Sequence, residues 1–262
     1  MNFDLSEEQQ LLADSLKRYL ANEYTMDARS KIVDSPTGWS EKVWAAFAEM
    51  GLLGVPFAEE HGGFGGSAVD VMLVMEALGE GLVVEPYWVN VGLGGRLIAR
   101  AGWEAQQKRI LPPLIQGKHR LAFAHTERGA RYDLGHVQAR AKKSGAGYTL
   151  DGEKRAVLAG ASADTLIVSA RTSGGATDPA GISLFLVERS APGVTVKEYR
   201  TIDELRAADV WLSDGATNVL PVGKDRTVIH QAWRLHYDDI RHSLTNAFYQ
   251  GWDLHPAQLP TR

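Results

Sequence analysis

The sequence predicts an α+β chain: an all-helical N-terminal part, an antiparallel β part and a short helical tail. Three observations carry this. Apolar residues recur at three- and four-residue steps up to about residue 117, at two-residue steps from 118 to about 212, and at helical steps again near the end. The chain has 262 residues, 44% of them apolar, enough to bury a substantial core.

Ser6-Glu-Glu-Gln9 has the form of a capping box, in which a serine hydroxyl and a glutamine side chain exchange hydrogen bonds across the first turn. A helix is therefore expected from Ser6, with Leu12, Leu16 and Tyr19 on one face. Ser40 is the expected cap of a second helix, with Val43, Trp44, Phe47 and Met50 on its buried face and Gly51 as a left-handed stop. His61 to Gly66 is too rich in glycine for helix, and Ser67 restarts one that Gly79 and Gly81 end. A glycine-diluted helical stretch, Tyr87 to Ala101, comes next. Trp103 to Leu111 is then expected to stop at Pro112-Pro113, because proline disfavours helix in the residue before it.

Beyond Gly117, Leu121 and Phe123 alternate with their neighbours, as do Val137, Ala139 and Ala141, and Tyr148-Thr-Leu150 answers across Ser144 to Gly147 as a hairpin. Asp164 to Ala170, Ile182 to Val187 and Val194 to Tyr199 are further strands separated by turn residues. Many short strands at this spacing predict a barrel or sandwich. Lys224 to Phe248 reads as one more helix, followed by coil.

The charge balance, 28 Lys plus Arg against 32 Asp plus Glu, carries no long run of one sign, which argues against nucleic acid and anionic membrane as partners. With no cysteine, thiolate metal sites, disulfides and a cysteine nucleophile are excluded. The acidic start, Met-Asn-Phe-Asp-Leu-Ser-Glu-Glu, does not resemble a presequence, so a cytoplasmic chain is expected. Val69 to Leu97 is broken by Glu76, Glu80, Glu85 and several glycines, so no membrane span is expected. His230, His236 and His242 are six apart and point in three directions on a helix, so no metal site is assigned to them or to His255. Gly62 to Gly66 could cradle a phosphate ahead of the Ser67 helix, but it lacks the lysine of a P-loop and follows no strand; a turn is the preferred reading.

The informative segment is Leu121-Ala-Phe-Ala-His-Thr-Glu-Arg-Gly-Ala-Arg-Tyr-Asp133, a strand that runs into a polar loop. The amides of His125 and Thr126 and the Thr126 hydroxyl could meet the edge of a planar heteroaromatic ring. Chemistry alone equally allows a hairpin end in which Thr126 and Glu127 satisfy backbone groups.

Here the sequence resembles the acyl-CoA dehydrogenases, flavoproteins that oxidise acyl-CoA thioesters. The resemblance rests on Phe3 to Gln9, on Met50 to Pro56 with Glu60 to Gly66, and on Gln107 to Leu114. It continues through Ala124-His-Thr-Glu127, Tyr148 to Lys154 and Ala163 to Arg171. It implies a helical domain over 1–117, a middle β-barrel domain over 118–210, bound FAD and an acyl-CoA substrate. By the same resemblance Phe123, His125, Thr126, Arg131, Tyr132, Val157 and Leu158 fall at flavin-binding positions. Arg131 and Tyr132 stand where the family has small residues, and Ala156 and Leu158 where it often has an aromatic residue and a threonine.

The family continues with a helical bundle that supplies a catalytic glutamate. That bundle is expected to be missing here, and Glu204 is the last glutamate, so no catalytic residue is assigned. Residues 211–262 instead resemble the end of an aldolase-like barrel related to citrate lyase β subunits, with a seam between about Leu205 and Gly215. The implied activity is FAD-dependent α,β-desaturation, incomplete in this chain alone. The alternatives are a non-catalytic assembly subunit, paired in a homo- or hetero-oligomer with a complete dehydrogenase, and a joined gene product without selected function.

Overall fold

Helix α1 (Glu7–Glu23) starts as its first residues dictate: the Ser6 hydroxyl accepts from Gln9 N and Gln9 Oε1 accepts from Ser6 N. The computed structural model describes residues 5–131, 133–145, 147–178 and 180–213, with the backbone of 220–221. Helix α2 (Met26–Val33), capped by Thr25, has no counterpart in the sequence reading, because it buries only Val33 and so carries no apolar stripe. Helix α3 (Glu41–Glu49) buries Val43, Trp44 and Phe47, and Gly51 makes the left-handed turn at φ 76°. Helix α4 (Ala68–Glu80) is capped by Ser67 and Asp70 reciprocally; it runs through Gly79, and the left-handed residue after it is Leu82 rather than Gly81.

The glycine-diluted stretch is a π-helical segment, Trp88–Gly95, that leads into α5 (Arg96–Ala101). Its glycines let it come close to its neighbours. A Cβ on Gly94 would lie 2.8 Å from Leu121 Cβ, and one on Gly95 would lie 2.5 Å from Phe57 Cζ.

Helix α6 (Glu104–Ile115) does not stop at the prolines, as the sequence predicts, but contains both. They sit in its last turn, where each forgoes the N–H bond to the carbonyl four residues back, and Ile110, Leu111, Leu114 and Ile115 are buried on either side of them. No helix among the described residues is long and apolar enough to cross a membrane.

The strands are β1 (Leu121–Ala124), β2 (Arg140–Ser144), β3 (Gly147–Leu158), β4 (Thr165–Arg171), β5 (Ile182–Glu188), β6 (Val194–Arg200), β7 (Arg206–Leu212) and β8 (Leu220–Pro221). The predicted hairpin is β2–β3, paired from Arg140 with Asp151 to Ser144 with Gly147. The antiparallel barrel does not form. The sheet runs β6-β7-β3-β2-β4-β5-β8 as an open path with β1 beside β4, and it is mixed. β1 lies parallel to β4, Leu121 opposite Thr165 through Ala124 opposite Val168, and β2 touches β4 in parallel at Arg140 and Arg171. The physical reason is the long excursion between β1 and β4: it carries the β2–β3 hairpin and acts as the crossover that a parallel pair requires. All seven residues of β4 are buried, as in a strand covered on both faces.

The helices and the sheet are stitched by specific bonds. Leu121 N donates to Asn90 Oδ1 (3.0 Å), Trp44 Nε1 to Gly117 O (3.2 Å), Arg29 Nη1 to Glu204 Oε2 (2.6 Å) and Arg206 Nη2 to Ser35 O (3.0 Å). The described residues 5–213 belong to one compact unit. The expected helix over 224–248, the four tail histidines and the aromatic residues Trp233, Tyr237, Phe248, Tyr249 and Trp252 lie outside the described residues.

Candidate functional site

β1 is buried throughout, and the chain leaves the sheet at His125 and Thr126, both half-buried. The His125 ring stacks on Phe123, with centroids 4.6 Å apart and planes 21° apart. Its Nδ1 lies 3.4 Å from Phe123 O and its Nε2 3.3 Å from Thr126 Oγ1. Burial lowers the His125 pKa, which favours the neutral ring. Thr126 O accepts from Arg155 N at 2.8 Å, whereas among the described residues neither the His125 nor the Thr126 amide donates a backbone hydrogen bond. In the neutral ring Nδ1–H donates to Phe123 O and Nε2 accepts the Thr126 O–H, so two amides and the oxygen of that hydroxyl are presented at one strand end.

Behind this end lies an ion pair. Lys154 is fully buried, and its Nζ donates to Glu127 Oε1 (2.6 Å), Ser169 Oγ (2.9 Å) and His125 O (3.4 Å). Glu127 also accepts from Gln138 N (2.6 Å) and Ala139 N (3.1 Å). Burial pushes the Lys154 ammonium down to about 8, and the Glu127 carboxylate opposes that fall. Of the hairpin-end alternative, Glu127 serves two backbone amides while the Thr126 hydroxyl meets the His125 ring instead, and the sequence reading has no place for Lys154. A signal was available. Leu150 and Lys154 are in phase at period two, so Lys154 shares the buried face of β3, but Glu153 and Arg155 beside it disguise it as surface charge.

β3 then bulges. Its register against β7 shifts between Lys154 and Val157, Ala156 adopts φ 50°, and Ala156 N donates to Asp209 Oδ1 at 3.2 Å. Arg155 pairs with Glu153 and Asp209. After the bulge Val157 enters the core, while Leu158 faces a cleft lined also by Trp39, Glu85 and Trp88.

Of the residues singled out from the sequence, the structure joins Phe123, His125 and Thr126 by contact. Arg131 is exposed on the turn after Glu127, at φ 49°, and Tyr132 lies outside the described residues. The donors fit the carbonyl and nitrogen edge of a planar heteroaromatic ring; the exposed methyl of Ala156 offers no ring face beside them.

The glycine loop is the turn that the sequence reading prefers. Gly63 N donates to Ala58 O, Phe64 N to Gly54 O, Gly65 N to Phe57 O and Gly66 N to Val55 O, at 2.7–3.1 Å. Amides spent in this way are not free to hold a phosphate.

Comparison with known proteins agrees with this architecture. Residues 6–118 match the family described as acyl-CoA dehydrogenase, N-terminal domain, and residues 122–214 match acyl-CoA dehydrogenase, middle domain. Residues 201–262 match a domain of unknown function, DUF6986, which overlaps the middle domain along β7. That description gives no support to an aldolase-barrel segment, and the expectation is not carried further.

"Probable acyl-CoA dehydrogenase YngJ" of Bacillus subtilis is 32% identical over 198 residues, 75% of this chain and 52% of the relative. The pig (Sus scrofa) mitochondrial long-chain specific acyl-CoA dehydrogenase is 38% identical over 156 residues, 59% of this chain and 36% of the relative. The crystal structure of an acyl-CoA dehydrogenase complexed with FAD from Bacillus anthracis superposes with a TM-score of 0.77 at 27% identity, over 88% of this chain and 40% of that one. The chain thus spans about half, or less, of the length of these proteins. Through its N-terminal and middle domains the chain belongs to the acyl-CoA dehydrogenase family.

Proposed function

We propose that the end of β1 binds the ring edge of FAD, and that the chain takes part in α,β-desaturation of an acyl-CoA thioester. When bound, FAD accepts the hydride that leaves the β-carbon. The His125 and Thr126 amides and the Thr126 hydroxyl hold the carbonyl and nitrogen edge of the ring. Phe123 buttresses His125 from below, and Lys154 fixes the His125 carbonyl to the sheet. Glu127 is 5% exposed and bonded to Lys154 and two amides, so it is not the base that removes the α-proton. The proposal assigns no base within residues 5–213.

The observation that carries the reading is the pair of unspent amides beside a hydroxyl at a strand end locked by a buried ion pair. The test is a visible absorption spectrum of the purified chain after FAD is added and the excess removed, followed by anaerobic addition of mixed acyl-CoAs. Retained flavin that bleaches supports the reading; a chain that retains no flavin overturns it.

A second reading, a non-catalytic subunit paired with a complete dehydrogenase, is favoured by Ala156 and Leu158, which give the bulge neither a ring face nor a hydroxyl. Flavin retained without bleaching, together with co-purification of a complete dehydrogenase, supports that reading.

A further inference from the structure

Phe123 O is a carbonyl oxygen and can only accept, so the Nδ1 of His125 that lies 3.4 Å from it carries the ring's proton. Burial, and less strongly the Lys154 ammonium, oppose a second proton, so the ring is neutral and its Nε2 is bare. Thr126 Oγ1 stands 3.3 Å from this nitrogen, and the proton between them is the threonine's own. The hydroxyl therefore donates inward, to His125. Both partners are held in place for this. The imidazole is half-buried and stacks on Phe123 with centroids 4.6 Å apart, and the Thr126 carbonyl accepts from Arg155 N at 2.8 Å. What the threonine side chain has left for a ligand is the lone pairs of its oxygen, an acceptor beside two amide donors.

We propose that His125 is a positioning residue that fixes the Thr126 hydroxyl as an acceptor, so that the strand end selects a ring edge in which a carbonyl stands beside an N–H, the imide edge of a flavin. A free threonine hydroxyl turns to suit either kind of partner and selects neither. One whose proton is spent on an imidazole meets an N–H well, and a second acceptor or an alkylated nitrogen badly. Protonation of His125 removes the selection. Both ring nitrogens then donate, to Phe123 O and to Thr126 Oγ1, and the hydroxyl proton is released toward the ligand. The charged groups that bear on the ring are Lys154 on β3 and, through its 2.6 Å bond to Lys154, Glu127 in the segment after β1. The ligand class rests on the function proposed above; the direction of the Thr126 hydroxyl does not.

The test uses the full chain and has two arms. In the first, without ligand, nitrogen NMR of isotope-labelled histidine, assigned by the signal lost in His125→Phe, is expected to show His125 with a protonated Nδ1 and a bare Nε2 at neutral pH. In the second, lumiflavin and its imide-N-methyl derivative are titrated separately and followed by fluorescence quenching. Lumiflavin is expected to bind at least about fivefold more tightly, the worth of one hydrogen bond. The preference is expected to shrink to within about twofold as pH falls through the His125 titration that the same spectra record, and at neutral pH in His125→Phe, which keeps the stack, and in Thr126→Val. A protonated Nε2 in the neutral ring, or a preference undiminished in His125→Phe or Thr126→Val, which is what simple steric exclusion of the methyl group produces, overturns the proposal. A chain that shows the expected tautomer yet binds neither probe overturns the flavin reading and the ligand assigned here with it, so the two failures are distinct.

Discussion

Replacing Glu127 by glutamine is expected to destabilise the chain by about 4 kcal/mol at neutral pH. The carboxylate accepts three hydrogen bonds, from Lys154 Nζ, Gln138 N and Ala139 N, and it does so almost completely shielded from water. An amide has one oxygen for these three donors, so its NH₂ group faces either the ammonium or a backbone N–H, donor against donor. A buried donor left without its acceptor costs about 1–3 kcal/mol, and removal of one partner of a buried ion pair about 3–5 kcal/mol in all. Lys154 retains only Ser169 Oγ at 2.9 Å and His125 O at 3.4 Å, which do not offset its charge.

The loss also depends on pH. Burial already holds Lys154 near 8, below its ordinary value of 10.5, and without Glu127 it falls further. A lysine with a depressed folded pKa leaves the unfolded chain holding more protons between the two values, so stability rises with pH across that window. The window opens at about 8 in the unaltered chain and lower in the variant, so the deficit is larger at about pH 6 than at about pH 8. Urea unfolding at both pH values measures it, and a Glu127→Gln/Lys154→Met double variant closes the cycle. A loss below about 1 kcal/mol at the lower pH, or a deficit that widens as pH rises, would refute the reasoning.

Arg171, 1% exposed, donates to the carbonyls of Val137, Gly135, Ala176, Asp178 and Ala180. Lysine has only three donors, so Arg171→Lys is expected to cost about 3 kcal/mol in thermal unfolding and to expose the 172–181 turn to proteolysis. Gly63→Ala would place a Cβ 2.1 Å from Phe57 O, so a loss of at least about 2 kcal/mol is expected, and unchanged melting would count against the tight loop. Burial raises the Glu85 carboxyl above 4.5, so its folded form holds its proton longer than the unfolded one and stability falls as pH rises between the two values. Glu85→Gln removes that decline, which parallel unfolding curves at about pH 4 and pH 7 will show.

What the sequence made legible is mostly local. Ser6 and Gln9, or Ser40 and Val43, are three residues apart, so the geometry they impose is written in a four-residue window. The β2–β3 hairpin is equally local. Pro112 and Pro113 misled because a general rule about proline was opposed by the tertiary burial of Ile110, Leu111, Leu114 and Ile115, which no local window shows. The parallel pairing of β1 with β4 joins residues 44 positions apart, as does the bond from Arg120 N to Asp164 Oδ2, and no periodicity records such a register. At the candidate site His125 and Thr126 could be found as a polar strand end, but the residue that locks them lies 27 positions from its partner Glu127, hidden between two charged neighbours.

The open sheet explains why that lock is needed. Among the described residues β1 is four residues long and pairs with a strand on one side only, β4. Its two ends are held by side chains instead: Asn90 Oδ1 takes the Leu121 amide at the start, and Lys154 takes the His125 carbonyl at the finish. The two anchors should fail independently, because they act on opposite ends of the strand. Asn90→Ala is expected to speed hydrogen exchange at the Leu121 amide and leave the Arg155 amide, which donates to Thr126 O, protected. Lys154→Met is expected to do the reverse. If Lys154→Met left the Arg155 amide as protected as before, the strand end would be positioned by the sheet alone, and the ion pair would have no part in presenting the His125 and Thr126 donors.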